Sequence, residues 1–228
     1  MAIDVVDYLT LPSRDEWKKF NKIIESEFPD LNFSIEKSSF SLLEMINGDY
    51  EVNHWKNEFN WRVFNICMNF VIMMHHYEKG IPDEHKDLKG EKLGVHMWFT
   101  FYAESLLSRI IGAYDVLFHI ANIKYELKVE KGFGFNSKVQ KGVKSVNKDL
   151  HEFLTSLNKD EAYKKVSNLR NDFIHNNSPT NLDSGIKKED GVISFGIGDY
   201  VNSSEIIETI KIGFSHLQST VTKFNELL

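Results

Sequence analysis

Asp160–Thr180, DEAYKKVSNLRNDFIHNNSPT, is the stretch whose reading decides the fold. Ala162, Val166, Leu169 and Phe173 recur at spacings of four, three and four, which makes one apolar stripe along a helix. Asn176 and Asn177 suit a helix C-terminus, and Pro179 stands just beyond, where a helix cannot continue. Off the stripe, close to the helix end, stand Arg170, Asn171 and His175. An Arg beside an amide, with a His further on, can hold a phosphate and move a proton. Arg followed by His at such a gap arises roughly 0.5 times by chance in a chain of this composition, so the context must carry the argument. That context is an Asn directly after the Arg, on an amphipathic helix that ends in a polar loop. The plain alternative is a surface Arg and a terminal His that complements the helix dipole.

Downstream, IKKEDGVISFGIGDYV predicts a short hairpin turning at Asp190-Gly191, within an insertion over 181–201. Ser203 or Ser204 then caps a last helix to Leu228, with Ile206, Ile207, Ile210, Phe214, Leu217, Val221 and Phe224 on its inner face. Upstream, one helix is predicted from Ser137 to Leu157, with Val139, Val143, Val146, Leu150, Phe153 and Leu157 facing the core. Lys138, Lys141, Lys144 and Lys148 line its other face. With Lys124, Lys128 and Lys131 before them they are the best track for phosphates, although such a stripe is usually a solvated surface. Gly132–Ser137, GFGFNS, is a turn; it lacks the spacing of a phosphate loop.

Val95–Leu127 reads as a central helix, apolar on most of its circumference. Its exceptions Glu104, Ser108, Asp115, His119 and Asn122 all fall within an arc of roughly 80°. A solvent stripe explains them; the alternative is a polar lining beneath Arg170 and His175, with Arg109, outside the arc, either paired with a neighbour's carboxylate or snorkelling to water. Trp55–Lys79 is another long helix, followed by a charged loop over 80–94. Ser13-Arg-Asp-Glu16 forms a capping box for a helix to about Glu27. Asn32–Lys37 alternates like a short strand, and Ser38–Ile46 has room for one or two helical turns. The architecture expected over 1–228 is one mostly α domain. It is a bundle of about five long helices with a short β-hairpin before the last.

The run Arg170-Asn171-Asp172-Phe173-Ile174-His175, on the last long helix before the hairpin, resembles the hallmark of the HEPN family (higher eukaryotes and prokaryotes nucleotide-binding domains). The resemblance covers Val166–Asn177 and elsewhere extends only to a helical bundle. It implies a metal-independent endoribonuclease with Arg170 and His175 catalytic, Asn171, Asp172 and Asn176 supporting, and no cofactor. It also implies RNA as substrate, a homodimer, and a toxin or defence role with an antitoxin or regulatory protein as partner. The alternative is a catalytically inert module of the same fold that binds a nucleotide, RNA or a protein. One form of the family carries a Tyr two residues after the His; here Asn177 stands there. Arg170 and His175 lie five residues apart, so their directions differ by about 140° on a helix. Two copies of the helix end are therefore expected to complete one site.

Composition bounds the rest. The 228 residues, 42% apolar and 13% aromatic, suffice for one substantial core. A net charge of −6 gives no global attraction to nucleic acid, so any RNA contact must be local. Cys67, the lone cysteine, lies in an apolar helical run and fits packing in a reducing compartment. The acidic N-terminus does not read as a secretion signal. Trp98–Ile123 could pass for a membrane span. Yet Glu104, Arg109 and Asp115 would each cost roughly 2.5–3.5 kcal/mol near the bilayer centre, so a soluble cytoplasmic protein is expected. For a bridged di-metal site only Glu51-Val-Asn-His54 has the spacing, and His75 and His76 point about 100° apart on a helix. Acid–base chemistry on a phosphodiester, or plain binding, is what remains.

Overall fold

Side-chain caps start four of the helices and so decide where the chain turns. The structure, a computed structural model, describes residues 4–35, 49–176, 178–181, 183–189, 192–197 and 200–228. Its helices are α1 (Arg14–Glu27), α2 (Asp49–Tyr77), α3 (Glu91–Lys124), α4 (Phe135–Val143), α5 (Lys148–Leu157), α6 (Glu161–His175) and α7 (Ser203–Leu227). Short 3-10 turns span Val5–Tyr8 and His85–Asp87. Between α6 and α7, β1 (Asp183–Glu189) pairs antiparallel with β2 (Val192–Ile197), Glu189 opposite Val192 and Ile186 opposite Phe195.

In α1 the predicted capping box forms, Ser13 and Glu16 each satisfying the other's backbone N–H. The last helix is capped one residue earlier than expected. Asn202 accepts from Glu205 N at 2.9 Å and Glu205 returns a bond to Asn202 N, so Ser203 already lies inside α7, buried. The single helix expected over Ser137–Leu157 is two. Asn147 accepts from Leu150 N at 2.9 Å and starts α5 afresh, while its amide donates to Tyr125 Oη and to the Leu227 carbonyl, each at 2.8 Å. Val146, expected in the core, faces solvent in that break. No strand forms over Asn32–Ile35; Phe33 is instead held by the Asn60 side chain at both its N–H and its carbonyl. The rest of that strand and the helical turns expected in Ser38–Ile46 lie outside the described residues.

The helices α2 and α3 run antiparallel along most of their length, with Trp55 against His119, Arg62 donating to the Gly112 carbonyl, and Tyr77 against Phe99. Helix α3 has the length and apolarity to cross a membrane, but α2, α6 and α7 enclose its apolar residues. Helices α6 and α7 are also antiparallel, tied by Asp160–His216 and Lys165–Glu208. Phe28, Phe70 and Phe214 meet where α1, α2 and α7 converge, the Phe28 and Phe214 rings stacked at 5.1 Å. Each such buried ring is worth about 1.5–3 kcal/mol of burial, and the buried apolar residues form one contiguous cluster. Seen from the core, α6 is a half-exposed helix whose inner side carries Val166 and Leu169.

Candidate active site

Helix α6 is fixed at its start. Asp160 accepts from Ala162 N at 2.8 Å and from Tyr163 N, and it lies 3.4 Å from His216 Nε2. His216 in turn meets the buried Tyr114 hydroxyl at 2.7 Å. Burial drives the Tyr114 phenol strongly upward, so it stays protonated, and burial also lowers His216 despite Asp160. The ring of Tyr163 packs edge-on to Tyr114 at 5.2 Å. These contacts, with Val166 and Leu169 in the core, leave the C-terminal turn of α6 as the part that projects.

That turn carries Arg170, Asn171, Asp172 and His175. Arg170 Nη1 donates to Asn171 Oδ1 at 3.0 Å and lies 3.4 Å from His175 Nε2. The expected divergence of the two side chains is therefore overcome within one chain. The long Arg side chain bends along the helix, and geometry alone does not demand a second copy. Asn171 holds the guanidinium and not the imidazole ring. Asp172 accepts from Asn176 Nδ2 at 2.8 Å and steadies the helix end, where Asn176 is already extended. His175 is exposed and Arg170 half-buried, and Arg170 Nε is a buried donor with no partner among the described residues. Such a donor can be satisfied by an arriving anion. Arg170 also acts on Tyr163, whose phenol is raised by burial and by Asp115 and lowered by the Arg charge. Pro179 is buried, and its carbonyl accepts from Val201 N at 2.8 Å, which anchors the exit from the site.

Among the described residues no hydrogen bond joins the polar arc of α3 to this turn, although Asp115 and Arg170 both act on Tyr163. Asp115 accepts from Asn136 Nδ2 at 2.7 Å, and Asn122 holds the Val129 backbone at 3.0 and 3.1 Å. His119 is sandwiched between Trp55 and Phe135, and burial, then Lys131 and Arg62, lower its pKa. Arg109 is exposed and donates to Ser105 Oγ on its own helix. Glu104 is half-buried, and among the described residues no hydrogen bond joins it to Arg170 or His175. Of the lysine stripe, Lys138 and Lys141 stand exposed on α4, Lys144 in the break, and Lys148 faces Glu152 at 3.7 Å. Cys67 is half-buried and its thiol is pushed up to about 11 by burial. Among the described residues no group of three His, Cys, Asp or Glu side chains is placed to hold a metal ion.

Sequence reasoning passed over Phe133, a fully exposed aromatic between two glycines, and the column of rings beside it. The signal was present: a turn needs no Phe at its tip.

A model of the Cthe2314-like HEPN family matches residues 55–225, three quarters of the chain. No curated protein matches, and no solved structure matches.

Proposed function

Because the chain belongs to the Cthe2314-like HEPN family, we propose that it is a metal-independent ribonuclease whose chemistry is carried by Arg170 and His175. The observation behind this reading is the approach of Arg170 Nη1 to 3.4 Å from His175 Nε2 at an exposed helix end. A guanidinium there binds a phosphate through two parallel hydrogen bonds. As it turns onto the phosphate it releases the Nε2 lone pair. His175 then takes the proton of a ribose 2′-OH, O2′ attacks phosphorus, and the P–O5′ bond breaks. The proton ends on the departing O5′. The products are a 2′,3′-cyclic phosphate and a free 5′-OH, and Arg170 offsets the charge gathering on the phosphoryl oxygens.

The test is cleavage of varied single-stranded RNAs by purified protein. Expected are cyclic-phosphate ends, inert DNA and no effect of chelator. Arg170→Ala should lose roughly 10²–10³ in rate and His175→Ala roughly 10²–10⁴. The double variant should lose less than the product of the two, because both act in one step. Cleavage that persists in His175→Ala, or stops with chelator, sinks the mechanism.

One observation favours a second reading, an inert nucleotide-binding module. In the resting arrangement Arg170 occupies the very lone pair that a general base needs. Intact RNA together with a nucleotide-dependent rise in melting temperature would select that reading.

A further inference from the structure

The loop Lys131-Gly132-Phe133-Gly134 puts an aromatic ring fully into solvent, at 103% relative exposure. Both glycines have positive φ, +143° and +74°, so the chain spends two conformationally special residues on displaying one phenyl group. The two flanking glycines line a cleft of about 420 Å³ together with Asp115, His119, Lys131 and Asn136. A second cleft, of about 500 Å³, shares His119 and Lys131 and adds Trp55. The wall between them is built of stacked rings. His119 is stacked on Trp55 at 4.0 Å and 4°, and on Phe135 at 4.4 Å, while Lys131 Nζ sits 5.0 Å above Trp55.

Charge singles out the same place. Between Lys124 and Lys148 the sequence carries seven lysines against Glu126 and Glu130, a net +5 in a chain of net −6. Among the described residues only Lys148 of these lysines has an ion-pair partner. Lysine is depleted from protein–protein interfaces, whereas cations that track a backbone beside aromatic faces are the means of gripping single-stranded nucleic acid. A duplex offers no free base face to Phe133.

We propose that this surface binds single-stranded RNA, with one base stacked on Phe133 and its flanking phosphates on Lys131 and the neighbouring lysines. Asp115 repels phosphate and so faces the base, where it accepts from an exocyclic amine. The site shares no residue with the Arg170–His175 pair, and binding there does not depend on cleavage.

The experiment is fluorescence anisotropy of a labelled 2′-O-methyl RNA of about ten nucleotides at about 50 mM salt. Such an RNA has no free 2′-OH and cannot be cut by 2′-OH attack. Wild type should bind the single strand and bind the matching duplex more weakly. Phe133→Ala and Lys131→Ala should each weaken binding roughly tenfold, and Phe133→Tyr should restore it. The Phe133→Ala melting temperature should equal that of wild type, since the ring is fully exposed. Wild type that fails to bind, or Phe133→Ala that binds equally well, overturns the proposal. Cleavage measured alongside separates the two readings. RNA cutting with tight binding by Phe133→Ala removes only this site, and Phe133-dependent binding without cutting removes only the ribonuclease.

Discussion

Arg170 and His175 leave α6 in directions about 140° apart, yet their end groups meet because an Arg side chain has four torsions and reaches along the helix. Asn171 decides where it stops, through the 3.0 Å bond from Nη1 to Oδ1. Asn171 is thus a positioning residue, and its substitutions give a graded test of the proposed chemistry. Asn171→Ala removes one half-buried hydrogen bond, worth about 0.5–1.5 kcal/mol, so kcat on RNA should fall by up to roughly tenfold with the cyclic product unchanged. Asn171→Asp places a carboxylate on the guanidinium and draws its charge from the substrate phosphate, so it should lose more than Asn171→Ala. If the two variants lose equally, Asn171 only supports the helix end and does not aim Arg170.

At the scale of elements, α6 is set by how closely α7 and α3 approach it. A Cβ on Gly213 of α7 would lie 3.0 Å from Val166 Cγ2 and 3.4 Å from Ile110 Cδ1. Both neighbours are buried, so Gly213→Ala should overpack the contact by about 1–3 kcal/mol, more than the roughly 1 kcal/mol gained in helix propensity. A lower urea midpoint would check this; a raised one would mean that α6 shifts freely. Asn147→Ala should cost about 2 kcal/mol, the upper end for an N-cap, because the same amide also ties Tyr125 and the Leu227 carbonyl. This capping residue also explains what the sequence concealed. Val143, Val146, Leu150 and Phe153 keep helical spacing straight through the break, so periodicity alone joined α4 to α5; Asn147, followed by Asp149, was the signal against it. The stripes of α6 and α7 and the capping box of α1 were legible because each is local. The partners of Asp115 and His119 were not, since they come from the start of α4 and from α2. No spacing within α3 encodes them.

At the scale of the molecule, we propose that the homodimer implied by the family resemblance forms, although one chain already brings Arg170 to His175. Ile174, beside His175, is 39% exposed, and Phe101 on α3 is 58% exposed. Light scattering at micromolar concentration should give twice the monomer mass; a monomer that cleaves RNA would mean that one chain suffices. Stability should depend on pH through two buried histidines. His76 is fully buried, stacked on Tyr102, and pushed down to about 4 by burial and then by Lys79 and His75. His96 is pushed down to about 4 by burial and then by His85, with Tyr200 packed near it. Both folded-state values lie below the unfolded value of about 6.5, so between about 6.5 and about 4 the unfolded chain binds more protons and stability falls as pH falls. Glu16 extends the loss to lower pH. The Ser13 hydroxyl and N–H, with His75, hold it at about 2, so its contribution disappears as pH drops from 4.5 towards that value. Urea midpoints should therefore decline steadily from pH 7 to pH 4. Both ring nitrogens of His76 lack partners among the described residues, so His76→Phe gives up no hydrogen bond and removes one titrating group. Its midpoint at pH 7 should equal or exceed that of wild type, and its decline to pH 4 should be shallower. An unchanged slope would mean that His76 takes up its proton in the folded state as readily as in the unfolded chain.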